Sequence, residues 1–333
     1  MSGIELKIGC TRYDHVRALF DGSVQIEGVD ATFEDAKIVS DIFEKMVRDH
    51  AYDVSELGLT FYLRTLEMVD PPFVAIPIFP NRQFRHSAIF VNKASGIERP
   101  EDLAGKTIGE FGIYGHDAGV WPKGILSDDF GVKPEESRWI IGASDWYMPP
   151  YDFVPQNNFN GADVQPVPKG KALGPMLEAG EIDALISAVT PQCILTGSDK
   201  VGRLFPEYEM VERDYFGRTG IFPIMHTVVI RKEVLAANPE IAKSIYDGFL
   251  KSKDMAAEQY RKGMMEQHGQ LMIPWFTPLF AKNVALMGED WWPYGIEANR
   301  KALDACLRYF HEQGLSSRRF TCEEIFLQEL LDT

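Results

Sequence analysis

The feature that most constrains this chain is an alternation of strand-like and helical stretches that occurs twice. Glu5 to Gly9 and Val29 to Glu34 alternate polar and apolar residues, and Phe73 to Ile78 is a near-continuous apolar run of the kind buried parallel strands show. Between them, Asp41 and Glu44 form a weak capping box ahead of the apolar positions Ile42, Phe43, Met46 and Val47. A βαβα order argues for a mostly parallel sheet. A further strand, Ala88 to Val91, leads into Asn92-Lys-Ala-Ser-Gly-Ile-Glu-Arg-Pro100, a polar stretch rich in turn residues that reads as a hinge. Beyond it the pattern restarts. Thr107 to Phe111, the glycines Gly112 and Gly115, a helical pattern to Phe130, and strands at Trp139 to Ile141 and Ile182 to Ile186 make a second α/β set.

Length agrees with two lobes, since 333 residues exceed the ~250–300 at which one core usually stops growing. The formal charge of -15 makes the molecule repel nucleic-acid phosphates and anionic lipid headgroups. No partner of either kind is expected. The N-terminus has no basic region followed by an apolar stretch, and no apolar run approaches a membrane span, so a cytoplasmic location is the expectation. Cys10, Cys193, Cys306 and Cys322 are dispersed and suggest neither a disulfide nor a zinc framework.

Residues 143–172 are rich in Pro, Asn, Asp and aromatics without either period, which reads as an ordered functional loop. The last third is helical. Asn238-Pro239 opens one helix, with Ile241, Ile245 and Phe249 spaced by four and Gly263 as its stop. Another runs to Gly314, and Thr321 with Glu324 caps a short last one. Nucleotide motifs fail: Gly105-Lys106-Thr107 lacks the required first glycine, and Gly109, Gly112 and Gly115 have the wrong spacing for a dinucleotide fingerprint. His-Glu-x-x-His and Gly-x-Ser-x-Gly are absent.

Polar chemistry clusters at strand ends, where open α/β sheets bind their ligands. The clusters are Thr11-Arg-Tyr-Asp-His15, Ser55-Glu-Leu-Gly-Leu-Thr60, Asn81-Arg-Gln-Phe-Arg-His-Ser87 and Tyr114-Gly-His-Asp117, with Trp121 one turn later. The planar fork of arginine matches carboxylates, so Arg82 and Arg85 suit a substrate with two of them. Each position also has a structural reading. Arg17, Arg48 and Arg64 are read as solvated charges, and His50, His268 and His311 as surface residues. His226, in an apolar run, is a core histidine or a catalytic one, and Glu56 a structural or a functional carboxylate. Trp121, Trp146 and Tyr147 are core or ligand wall.

The stretches Gly96-Ile-Glu-Arg-Pro-Glu-Asp-Leu-Ala-Gly-Lys-Thr-Ile-Gly109 and Leu177-Glu-Ala-Gly-Glu-Ile-Asp-Ala184 resemble segments of type 2 periplasmic solute-binding proteins. More specific are Gly9-Cys-Thr-Arg-Tyr-Asp-His15, Ser55 to Thr60, Arg82-Gln-Phe-Arg-His-Ser-Ala-Ile-Phe-Val-Asn92, Tyr114-Gly-His-Asp-Ala-Gly-Val-Trp121 and Phe222-Pro-Ile-Met-His-Thr227. Together they resemble the 4,5-dihydroxyphthalate decarboxylase family over nearly the full length. The resemblance implies a two-lobed type 2 periplasmic-binding-protein-like α/β fold with a ligand cleft between the lobes. On that fold, residues 1–91 and 226–333 form lobe I and residues 92–225 form lobe II.

The implied activity is non-oxidative decarboxylation of an aromatic catechol dicarboxylate to protocatechuate and carbon dioxide, without an organic cofactor. On the chemistry of that reaction, Arg12, Arg82 and Arg85 would clamp carboxylates, beside Ser87, Thr60, Tyr114, Trp121 and Trp146. His86 or His116 would protonate carbon, and Glu56, His15 or His226 would handle the catechol hydroxyl. His86 ranks above His116, because a helix N-terminus lowers the pKa of a nearby histidine. The rival reading is a solute-binding protein for an aromatic or other small organic acid. A divalent ion held by His15, His116, Asp117 and Glu56 is neither required nor ruled out by the spacing, and assembly into a homo-oligomer is open.

Overall fold

The structure is a computed structural model that describes residues 3–156, 159–266 and 271–333. The chain begins with β1 (Ile4–Gly9), α1 (Arg17–Phe20), β2 (Val29–Glu34), α2 (Val39–Asp49), β3 (Val54–Gly58), α3 (Leu59–Thr65) and β4 (Phe73–Ile76). It then crosses to β5 (Ile89–Asn92), β6 (Thr107–Phe111), α4 (Asp117–Phe130), β7 (Arg138–Gly142), β8 (Asp163–Pro166), α5 (Leu173–Ala179), β9 (Ala184–Ile186), α6 (Gln192–Leu195) and β10 (Val201–Arg203). Through α7 (Tyr208–Thr219) it returns to β11 (His226–Arg231), followed by α8 (Lys232–Ala237), α9 (Ile241–Met265), α10 (Phe276–Met287), α11 (Arg300–Glu312) and α12 (Cys322–Ile325).

Among the described residues these strands form two sheets, ordered β2-β1-β3-β11-β4 and β10-β5-β9-β6-β7-β8. In the first, β1 to β3 run parallel and the returning β11 is antiparallel to both of its neighbours. In the second, β9, β6, β7 and β8 run parallel while β5 is antiparallel to β9 and β10. The two-lobed α/β architecture is therefore present, with one correction. An edge at residue 91 falls inside β5, whose four residues are all buried and belong to the second sheet. The crossing segment is 77–88, and it carries the arginine cluster. The polar stretch after Asn92 is a surface turn of lobe II, its turn chemistry serving a tight reversal.

One apolar cluster runs through both lobes, joining Ile8, Val54 and Val229 to Ile108, Trp121 and Trp139. A second, smaller one lies under the far side of lobe II, around Phe90, Leu173 and Leu185. Helix α2 forms earlier than the Asp41 cap predicts: Ile38 is the N-cap, and Asp41 sits in the first turn, where its charge opposes the helix dipole. Helix α9 runs through Gly263 to Met265, and that glycine is buried. The Thr321–Glu324 capping box is present at α12. The four cysteines are buried and free. No helix among the described residues is long and apolar enough to cross a membrane.

Candidate active site

Helix α3 follows β3 without a loop, and every one of its residues is buried. It packs against the first sheet on one side and α4 on the other, so the facing ends of β3 and β6 are brought together. Asp117, the first residue of α4, reaches across and accepts the Thr60 N–H at 2.7 Å, capping α3 from the other lobe. A Cβ on Gly58 would lie 2.3 Å from Asp117 Oδ2, so a glycine is needed for this approach.

Two buried histidine–carboxylate pairs flank that contact. His226 lies two residues before Val228, the register partner of Glu56, so both side chains leave the same face of the sheet. His226 Nδ1 donates to Glu56 Oε1 at 2.5 Å. Glu56 also accepts the Tyr13 hydroxyl at 2.7 Å and the Thr11 N–H at 2.8 Å. Burial works against the Glu56 charge, but His226 and the other donors outweigh it and hold the carboxyl below the usual glutamate range. On the other lobe, Glu110 of β6 accepts Lys123 Nζ at 2.7 Å, the Gly115 N–H at 2.8 Å and His116 Nδ1 at 3.3 Å. The His116 Nε2 is buried without a hydrogen-bond partner. Asp117 is pushed above the usual aspartate range by burial, against which His226, Thr60 and His116 act.

Arg85 stands beside this cluster. It is 5% exposed, and among the described residues its guanidinium meets the Met225 sulfur, at 2.9 Å and 3.2 Å, one residue before His226. Burial pulls it down to about 10, with Asp117 and Glu212 opposing, so it remains a cation at neutral pH. Arg85 lines a cavity of about 390 Å³ together with Ser87, Ser187, Thr190, Arg203 and Glu212. Through Phe84, Glu212 and Phe222 this cavity adjoins a larger one of about 600 Å³, walled by Tyr13, His15, Trp292 and the rings of α9 and α10.

Several expected site residues lie elsewhere. Arg12 is exposed and covers the Phe20 ring, 5.8 Å from its centroid, outside the clamp. Arg82 lines the same cavity as Arg85, but its fork is already engaged by the Pro293 carbonyl at 2.9 Å and by Asn299. Of the three arginines expected to form a clamp, Arg82 and Arg85 line one cavity, and Arg85 is the one whose fork has no carbonyl or amide partner among the described residues. His86 packs between the rings of Phe205 and Tyr215, and burial pulls it down to about 4, so it is neutral at pH 7 and unsuited to donate a proton as an imidazolium. This environment counts against the expected placing of His86 as the proton donor. Trp121 is fully buried, donates to the Ile224 carbonyl at 2.8 Å and is core. Tyr114 is likewise core, its ring 3.5 Å below Lys123 Nζ.

The remaining positions are divided. Ser87 donates its N–H to Glu212 at 2.9 Å, and the Thr60 side chain is buried beside Asp117. Trp146 is 45% exposed and meets the Phe111 ring edge. His15 pairs with Asp14 at 3.0 Å and stacks on Tyr13. His15, Glu56 and His116 therefore occupy three separate pairs, and no group of three or more metal-ligating side chains occurs among the described residues. His50 is exposed and His311 half-buried, while His268 lies outside the described residues.

No protein-family model matches the chain. A 4,5-dihydroxyphthalate decarboxylase of Comamonas testosteroni is 33% identical over 328 residues, which is 98% of this chain and 97% of that protein. The chain belongs to that family. A second 4,5-dihydroxyphthalate decarboxylase, from Pseudomonas putida, is 32% identical over 224 residues, covering 65% of this chain and 83% of that one. Solved structures share the decarboxylase's fold at low identity. A periplasmic sulfonate-binding protein of Methylobacillus flagellatus matches with a TM-score of 0.54 at 15% identity, over 100% of this chain and 94% of that one. The alkanesulfonate-binding protein of Xanthomonas axonopodis, bound to MOPS, gives 0.52 at 11%, over 98% and 99%. The fold of the chain is thus the periplasmic-binding-protein fold.

Sequence reasoning missed Arg64, Glu110 and Lys123. Arg64, read as a surface charge, is 1% exposed and donates to the Tyr114 carbonyl at 2.7 Å and the Pro155 carbonyl at 3.0 Å, binding lobe I to lobe II. A partial signal was available: Leu59-Thr-Phe-Tyr-Leu-Arg-Thr65 carries Arg64 as its one charge, among large apolar and aromatic side chains. Glu110, alone in an apolar strand, was the comparable hint.

Proposed function

We propose that the chain converts 4,5-dihydroxyphthalate to protocatechuate and carbon dioxide in the cleft between the lobes, as a carboxy-lyase without an organic cofactor. Arg85 carries this reading: a buried guanidinium fork with no ion pair to a carboxylate among the described residues, beside a polar cavity and two anchored histidines, suits the carboxylate that the product retains. The other carboxylate leaves. His116 protonates the ring carbon that bears it, while the His226–Glu56 pair draws the proton from the hydroxyl para to that carbon. The protonated ring is a dienone. Loss of CO2 leaves its bonding electron pair on the ring, restores aromaticity and returns the proton to the hydroxyl oxygen, so one proton is consumed overall.

Purified protein given 4,5-dihydroxyphthalate should release CO2 with and without chelator, and in deuterium oxide should place one deuteron on the product ring. Arg85→Lys should weaken binding of unreactive phthalate far more than Arg17→Lys, by about 1.5–3 kcal/mol, the worth of a hydrogen bond to a charged group. Binding of 4,5-dihydroxyphthalate without CO2 release or ring deuteration would reject the enzyme in favour of a solute-binding protein. The sulfonate-binding fold relatives keep that second reading in view.

A further inference from the structure

Glu110, His116 and Lys123 form a closed set whose design exceeds what packing requires. Glu110 is 0% exposed and Lys123 1%, so an ionised pair has been placed where water cannot solvate it. Replacing a buried ion pair by apolar side chains is often neutral or stabilising, so the pair is weak evidence of a stabilising role. The geometry divides the carboxylate between two partners. Oε2 takes Lys123 Nζ at 2.7 Å, and Oε1 takes the Gly115 N–H at 2.8 Å and His116 Nδ1 at 3.3 Å. An ionised carboxylate only accepts, so Nδ1 carries the hydrogen and the neutral ring leaves Nε2 as its basic nitrogen. Gly119 leaves the space for this arrangement: a Cβ there would lie 1.7 Å from Glu110 Oε1 and 3.0 Å from His116 Nδ1.

We infer that Glu110 and Lys123 are positioning residues for His116, the carboxylate fixing its tautomer and the ammonium, by sharing that carboxylate, setting how readily the imidazolium releases its proton. This rests on the proposed role of His116 as donor. With Lys123 present, only part of the Glu110 charge is felt by the ring. Without it, the full charge stabilises the imidazolium and makes a weaker acid. The other charged or titratable groups facing the set are Arg64 from α3, Asp117 from the start of α4, His226 from β11 through Asp117, and Tyr114 beneath the ammonium. None of them bonds to the Nδ1 side of the ring. Burial pulls Lys123 down to about 8, with Glu110 opposing, so the ammonium form still predominates at neutral pH.

The test is a titration of the His116 ring protons by NMR, assigned with His116→Gln, beside the pH profile of kcat for CO2 release. In Lys123→Met both the ring titration and the alkaline limb of kcat should move up by about one pH unit, and in Glu110→Gln down by about as much, the usual effect of one nearby charge. Lys123→Arg should restore the wild-type titration. Because either single variant leaves a buried charge alone, the charge-balanced Lys123→Met/Glu110→Gln pair is included, and its titration should return to within a few tenths of a unit of wild type. Unchanged ring titrations in the folded variants, with only a drop in thermal stability, would overturn the inference. If the ring titration moves as stated but His116→Gln decarboxylates at the wild-type rate, the positioning stands and the assignment of His116 as donor falls.

Discussion

At the scale of single residues, the pairing of each histidine decides its chemistry. Glu56 and Glu110 each hold an Nδ1, whereas His86 has two aromatic rings and a buried Nδ1 with no partner. Folding therefore depresses the His86 pKa from 6.5 to about 4. As pH falls below 6.5 the unfolded chain takes up this proton and the folded chain does not, so stability is lost between pH 6.5 and 4 and is unaffected above it. The loss amounts to as much as about 3 kcal/mol. His86→Leu should flatten that part of the pH–stability curve, read by urea unfolding, while leaving kcat within a few fold of wild type. A large fall in turnover at unchanged stability would return His86 to the active site. The sequence could not reveal this environment, because Phe205 and Tyr215 come from a distant part of the chain and nothing local marks their approach. Glu56 and His226 were legible, since a polar residue within an apolar strand must be satisfied somewhere.

Elements were legible wherever their period was clean, and bounds failed where packing overrode a local signal. Gly263 carries the usual helix-interior penalty, yet it is buried and α9 continues past it. The wholly buried α3 was the element most informative about the lobe contact, and its meaning emerged only with α4 against it. Gly58→Ala should lower unfolding stability by about 1–3 kcal/mol through overpacking against Asp117 and Phe61. On α7, where a Cβ at Gly217 meets nothing within 4 Å, Gly217→Ala should instead raise stability by about 0.5–1 kcal/mol. Equal effects at the two glycines, measured by calorimetry, would show that the Asp117 contact imposes no steric demand.

For the molecule as a whole, two lobes followed from the repeated βαβα pattern, but the crossing point did not, because the turn-rich stretch after Asn92 looks the same whether it joins lobes or reverses within one. The lobes are held by the Asp117 cap and by Arg64 on two carbonyls. Cutting the cap should loosen them. Asp117→Ala without ligand should show a larger radius of gyration than wild type by small-angle scattering, and phthalate should close the difference. Identical curves would mean that the shared apolar cluster alone sets the spacing.

The place of β11 between β3 and β4 also fixes an order of events during synthesis. All six strands of the second sheet lie within the unbroken stretch from Ile89 to Arg203, whereas β4 finds its ladder partner only when His226 to Arg231 have been made. On the ribosome the inserted lobe can close first, while β3 keeps a bare edge and β4 waits alone through the translation of everything between them. That interval, on the order of ten seconds or more at 5–20 residues per second, is when a chaperone would find this chain most exposed to strand pairing with its neighbours.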